Sequence, residues 1–346
     1  MAGSLPPGRL PVAFPPHGVF GNERLSVFII RRLMQSVVVV FVMTLIVFFG
    51  VMVIGNPVDI LIGQNCDGPC REQVIRGLGL HLPLHEQYFV FLKNALKGEL
   101  GVSFRQGIPA IHLILQRMPA TMELALCAMF LAITLGIPLG MWAGFKPHSV
   151  SGKLIMGGSI LGFSLPSFWV GLMFIMIFAV ELDWLPATGR GDTVPVLGLQ
   201  VSLFTLDGLS HLIMPAFNLA LFKLSLVIRL TRAGMREVLF MDYVKFAYAK
   251  GLGRRRVVLV HVLKNILIPV ITVLGLELGN VIAFSVVTET VFSWPGMGKL
   301  IIDSIDVLDR PVVVAYLMIT VFMFILINLV VDIIYSLLDP RVRLQG

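Results

Sequence analysis

Six apolar runs dominate the sequence, at about Val37–Ile54, Thr121–Gly144, Ile155–Val180, Leu212–Leu230, Ile266–Val287 and Val312–Leu338. A hydrocarbon core of about 30 Å takes about 20 helical residues at ~1.5 Å each, and every run reaches or approaches that length with its flanks. Backbone N–H and C=O groups in lipid have no water to bond, so each run must close its hydrogen bonds within itself as a helix. Composition agrees, with 57% of the 346 residues hydrophobic and 14% charged, against about a quarter charged in soluble domains. The expected class is an all-α polytopic membrane protein with six transmembrane helices.

The net charge of +7 is read by membrane side before it is read as affinity for nucleic acid, and no nucleic-acid partner is expected. Arg9, Arg24, Arg31 and Arg32 precede the first run against Glu23 alone, and Lys146 and Lys153 fill the next loop on that side. The 229–264 loop holds nine Lys and Arg residues against Glu237 and Asp242, and Arg341 and Arg343 end the chain. The intervening loops are acidic, with Glu181, Asp183, Asp192 and Asp207 in one and Glu289, Asp303, Asp306 and Asp309 in another. The positive-inside rule therefore puts both termini in the cytoplasm. The mixed 55–118 segment does not oppose this, because long loops cross largely regardless of charge. The first residues, rich in Pro and Gly, read as a loose cytoplasmic tail, and the first run as an uncleaved targeting signal.

Cys66 and Cys70 flank Asp-Gly-Pro in "NCDGPC" on the external side. The turn-forming sequence makes a local disulfide possible in an oxidising compartment, and two free thiols is the alternative. Cys127 reads as a packing residue. No G-x-x-x-x-G-K-[ST] occurs, "HEQYF" lacks the second histidine of a zinc peptidase, and "GLGLHL" and "GLGRRR" do not complete a dinucleotide fingerprint. No catalytic residue, metal-ligand set or resident cofactor is therefore expected, and the chain does not read as an enzyme.

One polar stretch, "DYVKFAYAKGLGRRR" from Asp242 to Arg256, separates the fourth and fifth runs. Asp242 is placed to cap a short helix, and Gly251 to end it in the left-handed conformation after Lys250. Tyr243, Phe246, Ala247 and Lys250 fall at helical spacing on one face. A helix of about 12 Å is unstable alone in water, so a groove to pack against is expected.

The residues from Asp242 onward resemble the coupling-loop region of the dipeptide and oligopeptide permeases of ATP-binding-cassette importers. The match runs through Asp242, Tyr243, Val244, Ala247, Ala249, Lys250, Gly251 and Leu252, then His261, Leu263, Asn265 and Pro269. "GNPVDIL", "LGLHLPLHEQY", "LKGELGVSF", "RMPATMELAL", "TETVFSWPGMGKL" and "NLVVDIIYSLLDPRVR" extend it along the chain. Lys245 departs from the wider family pattern, which has Glu there. The resemblance implies a type I importer transmembrane domain over 119–340 with a coupling loop at 231–264. Before it come a cytoplasmic tail (1–26) and the first helix with a long external loop (27–118), and a short tail (341–346) follows. It implies a permease subunit of the bacterial cytoplasmic (inner) membrane, carrying dipeptides or oligopeptides inward. Its implied partners are a second homologous permease, two ATP-binding subunits that hold ATP and Mg, an extracytoplasmic substrate-binding protein and the bilayer. Asp242 to Val244, Phe246, Ala247 and Ala249 to Leu252 would then contact an ATP-binding subunit. Glutathione, a nickel chelate or an opine are alternative cargoes, and an ion-coupled secondary transporter is the alternative of another class.

Four ionisable residues lie within runs. Glu123 and Asp332 stand near run ends and are expected to reach an interface. Lys223 and Glu277 lie near mid-span, where a lone charge costs at least ~2.5 kcal/mol. They are expected either to pair or to line a substrate path, the alternative being independent placement with Lys223 snorkelling and Glu277 protonated. Pro166, and Gly136 with Pro138, are expected to bend their helices or open the local backbone.

Overall fold

The computed structural model describes residues 21–53, 68–77 and 79–338. Helix α1 (Gly21–Val53) is followed by the short helices α2 (Gly68–Gly77) and α3 (Leu84–Leu96) and by the long α4 (Ala110–Phe145). Then come α5 (Val150–Ser164) and α6 (Ser167–Phe174), the latter running on as a π-helical stretch, Ile175–Glu181. A small antiparallel hairpin, β1 (Val194–Val196) with β2 (Leu199–Val201), leads into α7 (Leu206–Val238). The short α8 (Asp242–Ala249) precedes α9 (Leu263–Val291), which is entered through Arg254–Arg256 and a π-helical stretch, Val257–Val262. Helices α10 (Met297–Asp306) and α11 (Arg310–Leu338) complete the described chain. The Cys66–Cys70 pairing lies outside the described residues.

Among the described residues, five helical segments are long and apolar enough to cross a membrane: Ile30–Gly50, Ala110–Phe145, Leu206–Val238, Pro269–Val291 and Arg310–Ile333. The third expected span is not one straight helix, because α5 and α6 meet at 107°. Pro166 has no N–H to donate and crowds the residue before it out of the helical region. Leu165 accordingly sits extended at φ −80°, ψ 136°. Pro138, by contrast, lies inside the unbroken α4.

Packing shows that the broken pair is a crossing. Helices α4 and α7 lie side by side in the same direction, with Gly136 against Val227, Gly140 against Ile228 and Gly144 against Met235. A chain leaving α4 beside Met235 must therefore return across the membrane to enter α7 at Leu206. Along that return Gly162 lies against Ser225, Phe163 stacks on Phe222 at 4.5 Å, Gly171 meets Asn218, and Phe174 reaches Phe217 at 6.1 Å. The partners step back along α7 from Ser225 toward its Leu206 end, as an antiparallel span requires.

The α4–α7 seam is built from small residues. Ala128, Ala132, Gly136, Gly140 and Gly144 are all buried and recur every fourth position on α4. A Cβ at Gly140 would stand 2.7 Å from the Ile228 carbonyl oxygen, so the backbones approach as only glycine allows.

Three buried carboxylates pin the loops at the Leu206 end. Glu123 accepts from the backbone N–H groups of Ser202 at 2.7 Å and Leu203 at 2.9 Å, and from Arg190 Nε at 3.1 Å. Glu289 accepts from Gly298 N at 2.7 Å, Lys299 N at 3.1 Å, Thr121 Oγ1 at 2.7 Å and Ser285 Oγ at 3.0 Å. Asp309 accepts from Ser103 Oγ at 2.5 Å and Phe104 N at 3.1 Å. Glu123, expected to reach an interface, meets these loop groups at the end of its span while being buried by them. It is paired with Arg190 of the loop between the π-helical stretch and β1. Asp332, near the other end of the fold, is paired with Arg32 of α1 at 3.0 Å.

Candidate functional site

The short helix α8 is shaped at both ends by its own sequence. Gly251 takes φ +77°, its N–H donates to the Tyr248 carbonyl, and Leu252 N–H reaches back to Ala247 O. That pair of bonds is the left-handed stop in which glycine follows the last helical turn. The other end differs from expectation. Met241 is the N-cap and offers no side-chain bond, while Asp242 is the first helical residue. Its carboxylate has moved to Lys245 Nζ at 2.9 Å, one turn along. That bond and the lysine charge hold the Asp242 carboxyl below its ordinary range, and its charge still suits the helix N-terminus.

The faces of α8 also need correcting. Val244 and Ala247 are buried against the chain's own core, Ala247 to 7% exposure. Ala247 packs inward within this chain, since a residue three along from Val244 follows it to the same side. Tyr243, Phe246, Ala249 and Lys250 face outward, with Phe246 69% exposed. Phe246 and, just before the helix, Phe240 at 75% exposure leave large apolar side chains facing outward on this basic loop.

Contacts from α8 run directly into a spanning helix. Asn265 Nδ2, in the first turn of α9, donates to Tyr243 Oη at 2.9 Å and to His261 O at 2.7 Å. Partial burial pushes the Tyr243 phenol above its ordinary value, with the Asn265 bond opposing. Arg254 lies 3.9 Å over the Phe145 ring, tying the same loop to the end of α4.

Further along α9 is Glu277, and the structure brings its Oε2 against Lys223 Nζ of α7. Asn280 Nδ2 donates to the same oxygen at 3.4 Å. The pair lines a cavity of about 600 Å³ walled by the α5–α6 break and by α7 and α9. Pro166, Phe163, Phe222 and Phe284 supply apolar surface there, and Asn218 and Thr288 supply polar groups. Asn218 donates to Thr288 Oγ1 at 3.2 Å, and its buried Oδ1 has no partner among the described residues. The cavity therefore combines one cation, one anion and free amide hydrogen-bonding capacity within an apolar surround. Asn218, Asn280 and Asn265's bond to Tyr243 were not picked out from sequence. Asparagine inside an apolar run was the available signal, since a buried amide demands partners.

Comparison with known proteins gives consistent relatives. The chain is 42% identical over 332 residues to the di/tripeptide transport system permease protein DppB of Pseudomonas aeruginosa (strain UCBPP-PA14), covering 92% of this chain and 99% of that one. It is 38% identical over 333 residues to the dipeptide transport system permease protein DppB of Escherichia coli (strain K12), covering 91% and 98%. Among solved structures, the inward-facing MetNI methionine ABC transporter shares the fold, with a TM-score of 0.50 and 13% identity over 66% of this chain and 96% of that one. Residues 25–125 match the N-terminal family of binding-protein-dependent transport system membrane components. With residues 136–344 matching the binding-protein-dependent transport system inner membrane component, the chain belongs to that family of membrane permease subunits.

Proposed function

We propose that this chain is one permease half of an ATP-driven importer that carries dipeptides or oligopeptides into the cytoplasm. A second homologous permease completes the path, and a substrate-binding protein delivers cargo outside. Two ATP-binding subunits bind ATP and Mg and perform the hydrolysis. Both termini and α8 lie in the cytoplasm, consistent with the basic loops around them.

The observation that carries this reading is the two-faced α8. Its inner face, Val244 and Ala247, is fixed to the chain, while Tyr243, Phe246 and Lys250 are left facing out. A helix so held transmits a push from a partner as rigid-body motion. The route runs through Tyr243 and Asn265 into α9, and so to Glu277 and its bond with Lys223. Hydrolysis-driven movement would then alternate the cavity between two states. In one state Lys223 and Glu277 satisfy each other. In the other they are free to meet the carboxylate and ammonium ends of a peptide.

Purification from the native membrane tests the assembly. Two ATP-binding subunits and a homologous permease should accompany the chain, and Phe246→Asp should release the ATP-binding subunits while the permeases stay together. Full retention of those subunits by the variant would contradict the docking role of α8.

A further inference from the structure

Arg310, the first residue of α11, is buried to 6% exposure, yet its Nε and Nη2 have no hydrogen-bond partner among the described residues. Its neighbour Asp309 is already taken up by Ser103 and Phe104. A guanidinium stays charged in proteins, and a buried charge without a partner is costly. A fold that holds one in place marks a position for an anion.

The surroundings identify what carries that anion. Arg310 lines a cavity of about 350 Å³ between α1, α3 and α11, and the other walls include Val47, Phe48, Phe91, Pro311 and Val314. Glu99 also lines it but makes no ion pair with Arg310 among the described residues. Gln87 and Asn94 are the other polar side chains of a lining that is otherwise mostly apolar, which suits a largely apolar molecule with one anionic group. Depth gives the same answer. Arg310 opens the apolar segment Arg310–Ile333, so its guanidinium stands where hydrocarbon gives way to headgroups. Beside it, α3 leaves Leu84, Phe89 and Leu96 exposed, as a helix lying in the membrane interface does. Thr44 of α1 meets Tyr88 of α3 at 2.8 Å, and Phe48 packs edge-on to the same ring, so the wall is preformed.

We infer that this cavity is a phospholipid site, with the lipid phosphate on Arg310 and the start of an acyl chain against Val47, Phe48 and Val314. The site is separate from the Lys223–Glu277 cavity and does not depend on what the transporter carries.

The test is thermal unfolding of the purified full-length protein in detergent, titrated with dihexanoyl phosphatidylglycerol. Dihexanoylglycerol and inorganic phosphate serve as parallel probes. The phospholipid should raise the unfolding temperature saturably, and neither the neutral lipid nor phosphate should do so at matched concentration. Arg310→Gln should weaken the apparent affinity about tenfold or more, the usual scale for a hydrogen bond to a charged group, and Arg310→Lys should weaken it less. If Arg310→Gln does not fold, Val314→Trp keeps the guanidinium, fills the apolar wall and should abolish the lipid response. An unchanged response in Arg310→Gln or in Val314→Trp overturns the inference, as does an equal response to phosphate alone, which would indicate a free-anion site. Loss of affinity for the separate substrate-binding protein, with lipid binding intact, overturns it in favour of a protein carboxylate.

Discussion

The loop end of the molecule and its mid-membrane cavity both bury charge, but they satisfy it in different ways. Glu123, Glu289 and Asp309 are held largely by backbone N–H groups and hydroxyls, whose positions the fold dictates. Lys223 and Glu277 are held chiefly by each other, from two different helices. Backbone donors cannot leave without unfolding a loop, whereas two side chains on separate helices part when the helices move. The first arrangement suits a scaffold and the second suits a moving part.

Substitutions should separate these roles, beginning with the scaffold. Glu289→Ala removes the acceptor for the Gly298 and Lys299 N–H groups and for two hydroxyls. Each stranded buried donor costs roughly 1–3 kcal/mol, so little folded protein should accumulate in membranes, as quantitative immunoblotting would show. Gly140→Leu should follow closely, because its side chain would enter the 2.7 Å approach to Ile228. Overpacking of this kind costs typically about 1–3 kcal/mol, read as a lower unfolding temperature in detergent. Both are read as loss of folded protein, whereas the cavity variants are read as uptake per folded molecule in the membrane.

Within the cavity, Lys223→Glu and Glu277→Lys should each reduce peptide uptake at least about tenfold, because each leaves two like charges facing one another. The double exchange should recover a substantial part of the uptake by whole cells. Two inactive single variants with an equally inactive exchange would break the pairing account. Asp242→Asn should have the smallest effect. The Asp242 carboxyl is held below its ordinary value, so its contribution is present at neutral pH and lost only as pH falls through that lowered value. Uptake should therefore show no titration by this group near neutral pH, and a step there that disappears in Asp242→Asn would contradict the assignment.

Much of the architecture was legible in the sequence because lipid imposes simple rules. A run of about 20 apolar residues has few alternatives to a helix, and the break at Pro166 follows from proline's missing N–H. Sequence was silent where the answer depends on which way a helix is turned. Periodicity grouped Ala247 with Tyr243 and Phe246, but the side of α8 facing the rest of the chain is set by tertiary packing, and it took Ala247 with Val244. The Glu123–Arg190 pair joins residues 67 positions apart, and local spacing cannot reveal that. The four-residue repeat of Ala128, Ala132, Gly136, Gly140 and Gly144 was a readable signal for close helix packing that the proline beside it obscured.

The account turns on α8 being the point where ATP hydrolysis becomes helix movement. The direct measurement is hydrolysis and dipeptide uptake recorded together in proteoliposomes carrying the assembled transporter with Phe246→Asp in this chain. The account predicts that uptake is lost and that hydrolysis no longer responds to substrate-loaded binding protein, while the permease remains folded in the membrane. Wild-type uptake with normally stimulated hydrolysis would contradict it.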